Sequence, residues 1–431
     1  GLRWARRIAD ELGGSFVALD EEREVGRVVV QHEGSPLWID VARFRGEAEG
    51  EQGATLEEDL HLRDFTVNAI ALDPLTGETI DPTGGVADLE EGVLRATGPR
   101  ALRDDPLRIL RAVRLHATHE LTIEPRTQQA MRRAVPGLSE VAAERVREEW
   151  MRLLAPPGAM ARVEMLDELS VLERLLPELV MGKAVTQSQP HSHDVFEHNL
   201  LVLDAMENLF PWAESDDFWR GSMARFAEPM TWHLQEEIAH ELPRWLLLKH
   251  VALLHDIGKS TTRSVGKDGR IHFYRHEAAG AEMIRGIMRR MKFASKAVQY
   301  AESVVRHHLR PLQLSNHLPP SRRAIYRFFR DTGDAGPDIA LHSVADQRGK
   351  AFAEDREEVV AVVLHLFEAY FEEQERFVRP KPLLNGNEVM EITGKQGPII
   401  GKILENLREQ QAQGTVQTRE EAIRVVQGWN E

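Results

Sequence analysis

Cysteine is absent from the 431 residues. Disulfides and thiolate metal sites are therefore excluded, and any metal must be held by His, Asp or Glu, a donor set that suits hard or borderline ions. No run approaches the ~18 consecutive apolar residues that a membrane-spanning helix needs, so no membrane partner is expected. Lysine is missing until Lys183. Every basic residue ahead of it is Arg, a planar fork suited to phosphates and base edges. There is no internal repeat, no low-complexity tract, no Gly-x-Gly-x-x-Gly fingerprint and no Ser nucleophile elbow. Gly401-Lys402 fails as a phosphate loop, because Ile403 stands where Ser or Thr must follow. The first residues, GLRWARRIADELGG, read as an amphipathic helix within a domain, not as a signal peptide. These absences fit a cytoplasmic protein.

A hydrophobic content of 42% supports real cores, and at roughly 150 residues per domain the length suggests about three domains. The net charge of −15 looks wrong for a nucleic-acid partner, yet Arg95–Arg152 holds twelve Arg against eight acids. A local basic face on an acidic body still binds a phosphate backbone. Alternation and β-branched content predict strands at 16–20 (FVALD), 27–31 (RVVVQ) and 37–44 (LWIDVARF). FTVNAIALD, PLTG and ETID read as strand, turn and strand of a hairpin. From Pro106 onward helical periodicity dominates. Pro156, Pro157 and Gly158 punctuate a boundary or a sharp inter-helix turn. The seven aromatics Phe210, Trp212, Phe218, Trp219, Phe226, Trp232 and Trp245 are expected in a packed helical insertion, as core and not as RNA platforms. ERFVRPKPLL marks a linker before a short helical tail. The expected fold class is α+β, predominantly α, with one small mixed sheet.

Three ordered clusters occupy Thr55–Arg114: TLEEDLHLRDFTVNAIALD, DPTGGVADL and DDPLRILRAVR. Gly84 and Gly85 allow positive φ or tight backbone approach. Asp105-Pro106 is a strong helix start, which makes Asp105 a candidate N-cap. Arg108, Arg111 and Arg114 recur at i+3, on one side of that helix. In order and spacing the stretch resembles the tRNA nucleotidyltransferase and poly(A) polymerase family, class II and CCA-adding type. The resemblance implies a Gly-Gly turn and a paired-Asp metal motif upstream, and this sequence starts after them. It implies a catalytic, Mg²⁺-holding carboxylate at Asp40. It implies that Arg63 and Asp64 contact the incoming nucleotide, Asp64 reading the ribose 2′-hydroxyl. Asp105 and Arg108 would pair with the edge of C or A as a protein template, with Arg111 and Arg114 on the triphosphate. Leu62 departs from the pattern, where the family usually has Arg. ERVREEW (144–150) resembles the helix that supports the base-reading helix; Glu144, Arg147 and Glu148 are equally placed for surface pairs.

A second block, His191–Asp346, holds His198, His255-Asp256, His276, His307-His308 and Asp346 in five islands. This resembles the H…HD…H…H…D arrangement of HD-type phosphohydrolases. His198, His255, Asp256 and Asp346 would hold one divalent ion, His276 and His308 would help hold a second, and Lys259 would contact a phosphate. Imidazoles with carboxylates suit Mn²⁺, Ni²⁺, Fe²⁺ or Mg²⁺. The tail resembles the tRNA-engaging segment of the same family, with Gly397 and Gly401 expected to permit close helix packing or approach to RNA. The implied layout is an N-terminally incomplete nucleotidyltransferase head (1–105), a neck with the base-reading helix (106–180), an HD domain (181–380) and an RNA-binding tail (381–431). The implied function is addition of CCA, or part of it, to tRNA 3′ ends from CTP and ATP. The rival is a metal-dependent phosphohydrolase with an inactive RNA-binding head, and a non-enzymatic RNA-binding remnant stands third.

Overall fold

The computed structural model describes residues 1–46, 54–188, 193–213, 217–350 and 357–429, so His191 lies outside the described residues. The chain is α+β and predominantly α, in two compact units, Gly1–Ala134 and Val135–Glu431. No helix among the described residues is long and apolar enough to cross a membrane.

In the first unit, α1 (Leu2–Leu12) precedes an antiparallel sheet in the order β1 (Ser15–Asp20), β2 (Val25–His32), β3 (Ser35–Val41). Alternation turns Phe16, Val28, Ile39 and Val41 toward Ala5, Ile8 and Ala9 of α1, where the two small alanines let helix and sheet close together. Next come α2 (Leu56–His61), the two-residue hairpin of β4 (Ala71–Leu72) and β5 (Thr79–Ile80), and α3 (Gly85–Glu90). β6 (Val93–Leu94) pairs in parallel with β7 (Thr122–Ile123) around α4 (Ala101–Asp104) and α5 (Arg108–Thr118), and α6 (Pro125–Ala134) closes the unit. A capping box starts α2: Thr55 accepts from the Glu58 amide and the Glu58 carboxylate accepts from the Thr55 amide.

Two expectations are corrected here. Only the last part of FTVNAIALD is strand, because Thr66–Asn68 is a 3₁₀ turn. Its polar side chains bind locally in place of a ladder: Asp64 Oδ1 accepts from the Phe65 amide at 2.9 Å and Asn68 Nδ2 at 3.2 Å, and Thr66 Oγ1 donates to Asp88 at 2.7 Å. Asp105 is not an N-cap. It is the extended residue that ends α4, and α5 begins at Arg108. Both glycine readings hold, one at each position. Gly84 sits at φ 76°, and a Cβ on Gly85 would lie 2.0 Å from the Thr66 carbonyl oxygen.

The second unit is helical. α7 (Ala143–Leu154), α8 (Ala159–Glu168), α9 (Leu172–Leu175) and α10 (Pro177–Val180) lead into α11 (Val195–Leu209) and α12 (Ala224–Gln235). A hairpin of β8 (Glu237–Ala239) and β9 (Leu242–Pro243) precedes α13 (Arg244–Leu254) and α14 (Lys259–Thr262); a second, β10 (Arg263–Val265) and β11 (Ile271–Phe273), precedes α15 (His276–Arg290). Then follow α16 (Ser295–His307), α17 (Arg310–Leu314), α18 (Arg322–Thr332), α19 (Gly336–Arg348), α20 (Glu357–Phe367) and α21 (Gln374–Phe377). The tail is α22 (Gly386–Thr393), α23 (Pro398–Gln413) and α24 (Arg419–Gln427). Every residue of α13 from Leu246 to Leu254 is buried, and so is α19 from Gly336 to Gln347. Helices without a polar face become the centre of a domain. These two pack with α11, and the site histidines ride on that buried core.

The Pro156-Pro157-Gly158 break is tightly held. Arg162 donates to the carbonyls of Leu153, Pro156 and Pro157, and Lys249 donates to those of Ala155 and Pro156 at 3.2 and 3.1 Å. Glu207 pairs with Lys249 at 2.5 Å and accepts from the Gly158 and Ala159 amides. The open carbonyls at the end of α7 are thus captured by two buried cations. Arg147 donates to the Lys292 carbonyl and lies over the Phe293 ring, so it does more than pair along the surface. The aromatic insertion is only partly core: Phe210, Phe218 and Phe226 are buried, whereas Trp232 is 67% exposed and Trp212 45% exposed. In the tail Gly397 takes φ 80°, but a Cβ on Gly401 would meet open space, so close helix packing does not require glycine there. Arg323 and Arg327 on α18 pair with Glu409 on α23, docking the tail.

Candidate functional site

The first unit gathers four of the residues expected at a nucleotide. Arg111 on α5 donates to Asp64 Oδ2 at 2.9 Å. Arg108, one turn earlier, donates through Nη1 to the carbonyls of Arg63 and Ala101 at 3.0 and 3.1 Å, and through Nη2 to that of Leu62 at 3.0 Å. Arg63 itself pairs with the buried Asp59 at 3.3 Å. The Leu62–Asp64 loop is therefore stitched to α5 by two guanidinium groups. Burial acts to raise the Asp64 pKa, but Arg111, the Phe65 amide and Asn68 outweigh it, and the carboxyl lies below its ordinary range. Burial pulls the Arg108 pKa down, against the attraction of Asp64 and Asp105. Asp105 is half-buried just before α5, and Arg114 follows Arg111 by three residues on that helix.

Asp40 is placed differently. The register sets it opposite Arg27, which grips both its oxygens at 2.7 and 2.8 Å. That bond holds its pKa below the ordinary range. Among the described residues Asp40 joins no group of donors close enough to share an ion. The described head residues do not by themselves fit a metal.

The second unit does bring its donors together. His198 (α11), His255 and Asp256 (after α13) and Asp346 (α19) form one group, and Asp256, His276 (α15) and His308 (after α16) form another; within each group the ligand atoms lie within 4.8 Å of one another. Asp256 is common to both. Its Oδ2 approaches His198 Nε2 at 3.4 Å and His255 Nε2 at 3.3 Å, while its Oδ1 approaches His276 Nε2 at 3.2 Å and His308 Nε2 at 3.6 Å. Asp346 Oδ1 approaches His198 Nε2 at 3.0 Å and His255 Nε2 at 3.6 Å.

All four imidazoles are anchored through Nδ1. His198 bonds the Gly349 carbonyl at 3.0 Å, His255 that of Ala252 at 2.9 Å, His276 that of Phe273 at 2.8 Å, and His308 that of Val305 at 2.7 Å. A carbonyl accepts only, so each Nδ1 carries a proton and each Nε2 is turned inward, toward the carboxylates and the position an ion would take. Outer-shell bonds of this kind orient metal-ligating histidines. His255 Nε2, Asp256 Oδ1 and His276 Nε2 are buried with no directed hydrogen bond among the described residues. Orphaned donors on a fixed imidazole–carboxylate frame fit divalent ions.

The electrostatics agree. Burial would raise both carboxyls, but Lys259 and His255 around Asp256, and Lys350 and His198 around Asp346, hold them well below the ordinary range. Burial pushes His308 down to about 3 and lowers His198. Burial would lower His255 as well, yet Asp256 and Asp346 push it up to about 9, so an incoming ion has a proton to displace there. Lys259 is itself buried, with Nζ 2.5 Å from Asp256 Oδ2 and 2.7 Å from Gln187 Oε1.

Sequence reading missed Gln187, which holds Lys259, as well as Lys350 and Gln347, which hold Asp346 Oδ2 at 3.1 and 3.2 Å. It also missed His342, fully buried with its ring centroid 4.8 Å from that of His255. The signal was present, because His342 precedes Asp346 by one helical turn and so shares its face.

Comparisons with known proteins cover nearly the whole chain. Residues 6–95 match the Poly A polymerase head domain, residues 120–181 the family described as Probable RNA and SrmB- binding site of polymerase A, and residues 230–336 the HD domain. The chain is 35% identical over 440 residues to the A-adding tRNA nucleotidyltransferase of Deinococcus radiodurans, covering 99% of this chain and 89% of that one. It is 32% identical over 432 residues to the CC-adding tRNA nucleotidyltransferase of Thermus thermophilus, covering 99% and 86%. Its fold resembles that of a CCA-adding enzyme in complex with CTP, with a TM-score of 0.61 at 20% identity, covering 98% of this chain and 83% of that one.

Proposed function

The chain belongs to the tRNA nucleotidyltransferase family, and from that premise we propose that its head and neck add CCA, or part of it, to tRNA 3′ ends from CTP and ATP. The observation that carries this reading is the stitching of Leu62–Asp64 to α5. The bonds join an ionised carboxylate to two guanidinium groups, and Asp105 acts electrostatically on one of them, Arg108. Arg108 commits three of its five N–H groups to carbonyls, which leaves two donors on the fork for a base edge. Asp105 supplies the matching acceptor, so together they present the donor and acceptor pattern that C or A pairs with. Asp64 accepts the ribose 2′-hydroxyl, and Arg111 fixes that carboxylate while facing the triphosphate with Arg114. A Mg²⁺ requirement in the head is part of this proposal, with Asp40 freed from Arg27 to take part. The test is incorporation of labelled CTP and ATP into tRNA lacking its 3′ end, resolved to single nucleotides. Extension by C, C and A, by two C, or by one A separates the three products; no extension by a form that carries the paired-Asp segment implied by the resemblance refutes the reading.

The His/Asp pocket is proposed to be a separate metal-dependent phosphohydrolase site. Mn²⁺, Ni²⁺, Fe²⁺ or Mg²⁺ would be held by His198, His255, Asp256 and Asp346, and by Asp256, His276 and His308. The ions would supply charge neutralisation and an activated water. This chain's own part is to exclude bulk solvent, fix the imidazole tautomers and keep both carboxylates ionised. Asp40's engagement with Arg27 favours the rival in which this pocket is the only active centre. Full phosphodiester cleavage without any tRNA extension would establish that rival.

A further inference from the structure

The ligand histidines share one property that their neighbour His342 lacks. Each ligand ring is tied by Nδ1 to a carbonyl, but His342 is fully buried and neither of its ring nitrogens has a hydrogen-bond partner among the described residues. Its ring centroid lies 4.8 Å from that of His255 and 6.1 Å from that of His308, residues that belong to different donor groups. It sits one turn before Asp346 on α19. It belongs to neither group of converging ligand atoms. His342 therefore borders both groups without being positioned as a direct donor to either.

Folding does not explain this residue. Burying an imidazole without a partner is unfavourable, whereas Leu in its place would carry no unmet polar atom. Such a group is satisfied by water or by a ligand. A neutral imidazole offers one N–H and one lone pair. Accepting one O–H of a water with that lone pair leaves an oxygen lone pair of the water pointing away from the ring, and the ring itself lies beside His255 of one donor group and His308 of the other.

Resting on the phosphohydrolase reading, we propose that His342 holds and orients the water that attacks a phosphoester in the His/Asp pocket. The water oxygen forms a bond to phosphorus and the P–O ester bond breaks. One of its protons stays on the new phosphate and the other ends on the released alcohol. His342 accepts a hydrogen bond from the water in this step and stores no proton.

The experiment compares the full chain with His342→Leu and His342→Gln, the latter keeping one donor and one acceptor. Metal content is measured after loading with Mn²⁺, melting temperature after chelation, and kcat and KM with bis(p-nitrophenyl) phosphate. The Leu variant should keep its Mn²⁺, melt at or above the wild-type temperature, and lose about 100-fold in kcat at unchanged KM, the cost of a misplaced reactant. The Gln variant should recover part of that loss. Water-proton relaxation of the Mn²⁺-loaded protein reads the held water without turnover, and it should change in the Leu variant. Unchanged kcat with unchanged relaxation overturns the proposal, as does loss of Mn²⁺ together with a lower melting temperature. A wild type that cleaves no phosphodiester while the relaxation difference persists overturns the phosphohydrolase reading and leaves His342 as a water site. If that difference is missing too, both fall.

Discussion

Asp256 is the residue on which the two donor groups meet, and replacing it with Asn should affect both. Oδ2 serves His198 and His255, and Oδ1 serves His276 and His308. Asn offers one neutral acceptor where a bridging carboxylate needs two charged ones. Wild-type protein loaded with Mn²⁺ should carry two ions, Asp256→Asn none, and Asp346→Asn or His276→Ala one each. A second effect is independent of metal. Lys259 Nζ lies 2.5 Å from Asp256 Oδ2, and both side chains are almost wholly excluded from water. Removing the carboxylate strands a buried ammonium, and breaking such a pair costs about 3–5 kcal/mol. For a unit of this size that corresponds to a drop of roughly 10 °C in melting temperature after chelation. The double variant Asp256→Asn/Lys259→Met removes both charges and should regain most of that loss while still binding no metal. Elemental analysis and a melting curve read the two effects separately. Two ions retained in Asp256→Asn, with melting within about 2 °C of wild type, would refute the bridging geometry.

Three further outcomes are expected. Asp105→Ala should relax selection of CTP and ATP over UTP and GTP by about 1–3 kcal/mol in single-nucleotide incorporation; unchanged preference would show that Asp105 only shapes the end of α4. Arg111→Leu bears on acid stability. Asp64's carboxyl is held below its ordinary value, so the stability it contributes is present above pH ~4 and is lost as pH falls through the lowered folded value. Without Arg111, burial dominates, and the acid limb of the circular-dichroism titration should move to higher pH; a limb that stays put removes Arg111 as the cause. Gly258→Ala should destabilise the second unit by about 1–3 kcal/mol and weaken Mn²⁺ retention, since a Cβ there would lie 2.2 Å from the His276 carbonyl oxygen and 2.5 Å from the Gly280 amide nitrogen. Wild-type metal affinity in a fully folded Gly258→Ala would show that this contact does not position His276.

What could be read from sequence depended on whether the interaction was periodic or long-range. The three strands of the first sheet follow from alternation, and the helical content after Pro106 from its periodicity. FTVN deceived because β-branched and aromatic residues favour strand, while Asp64, Thr66 and Asn68 satisfy the backbone locally. Asp105-Pro106 deceived because the dipeptide has the chemistry of a helix start, whereas the chain first completes α4 and a turn. The order of the histidine islands was legible, and the structure brings those six residues into two contiguous groups. The roles of Gln187 and Lys350 were not, for their partners lie on other elements or depend on rotamers. Trp212 and Trp232 were expected to be buried on hydrophobicity alone, yet large apolar side chains commonly remain at the surface.

The capped end of α7 bears on how force and disorder pass along the molecule. Pro156-Pro157-Gly158 has the composition of a joint, but Arg162, Lys249 and Glu207 weld it shut. A protease that nicks exposed linkers would find no loose strand there. The segment cannot swing without pulling two cations off their carbonyls, so the end of α7 is tied directly to α8, α11 and α13. Of those, α11 carries His198, and α13 runs directly into His255 and Asp256. A displacement of α7 therefore also reaches the buried donors. The stretch that looks most like a hinge in the sequence is a coupling rod in the fold.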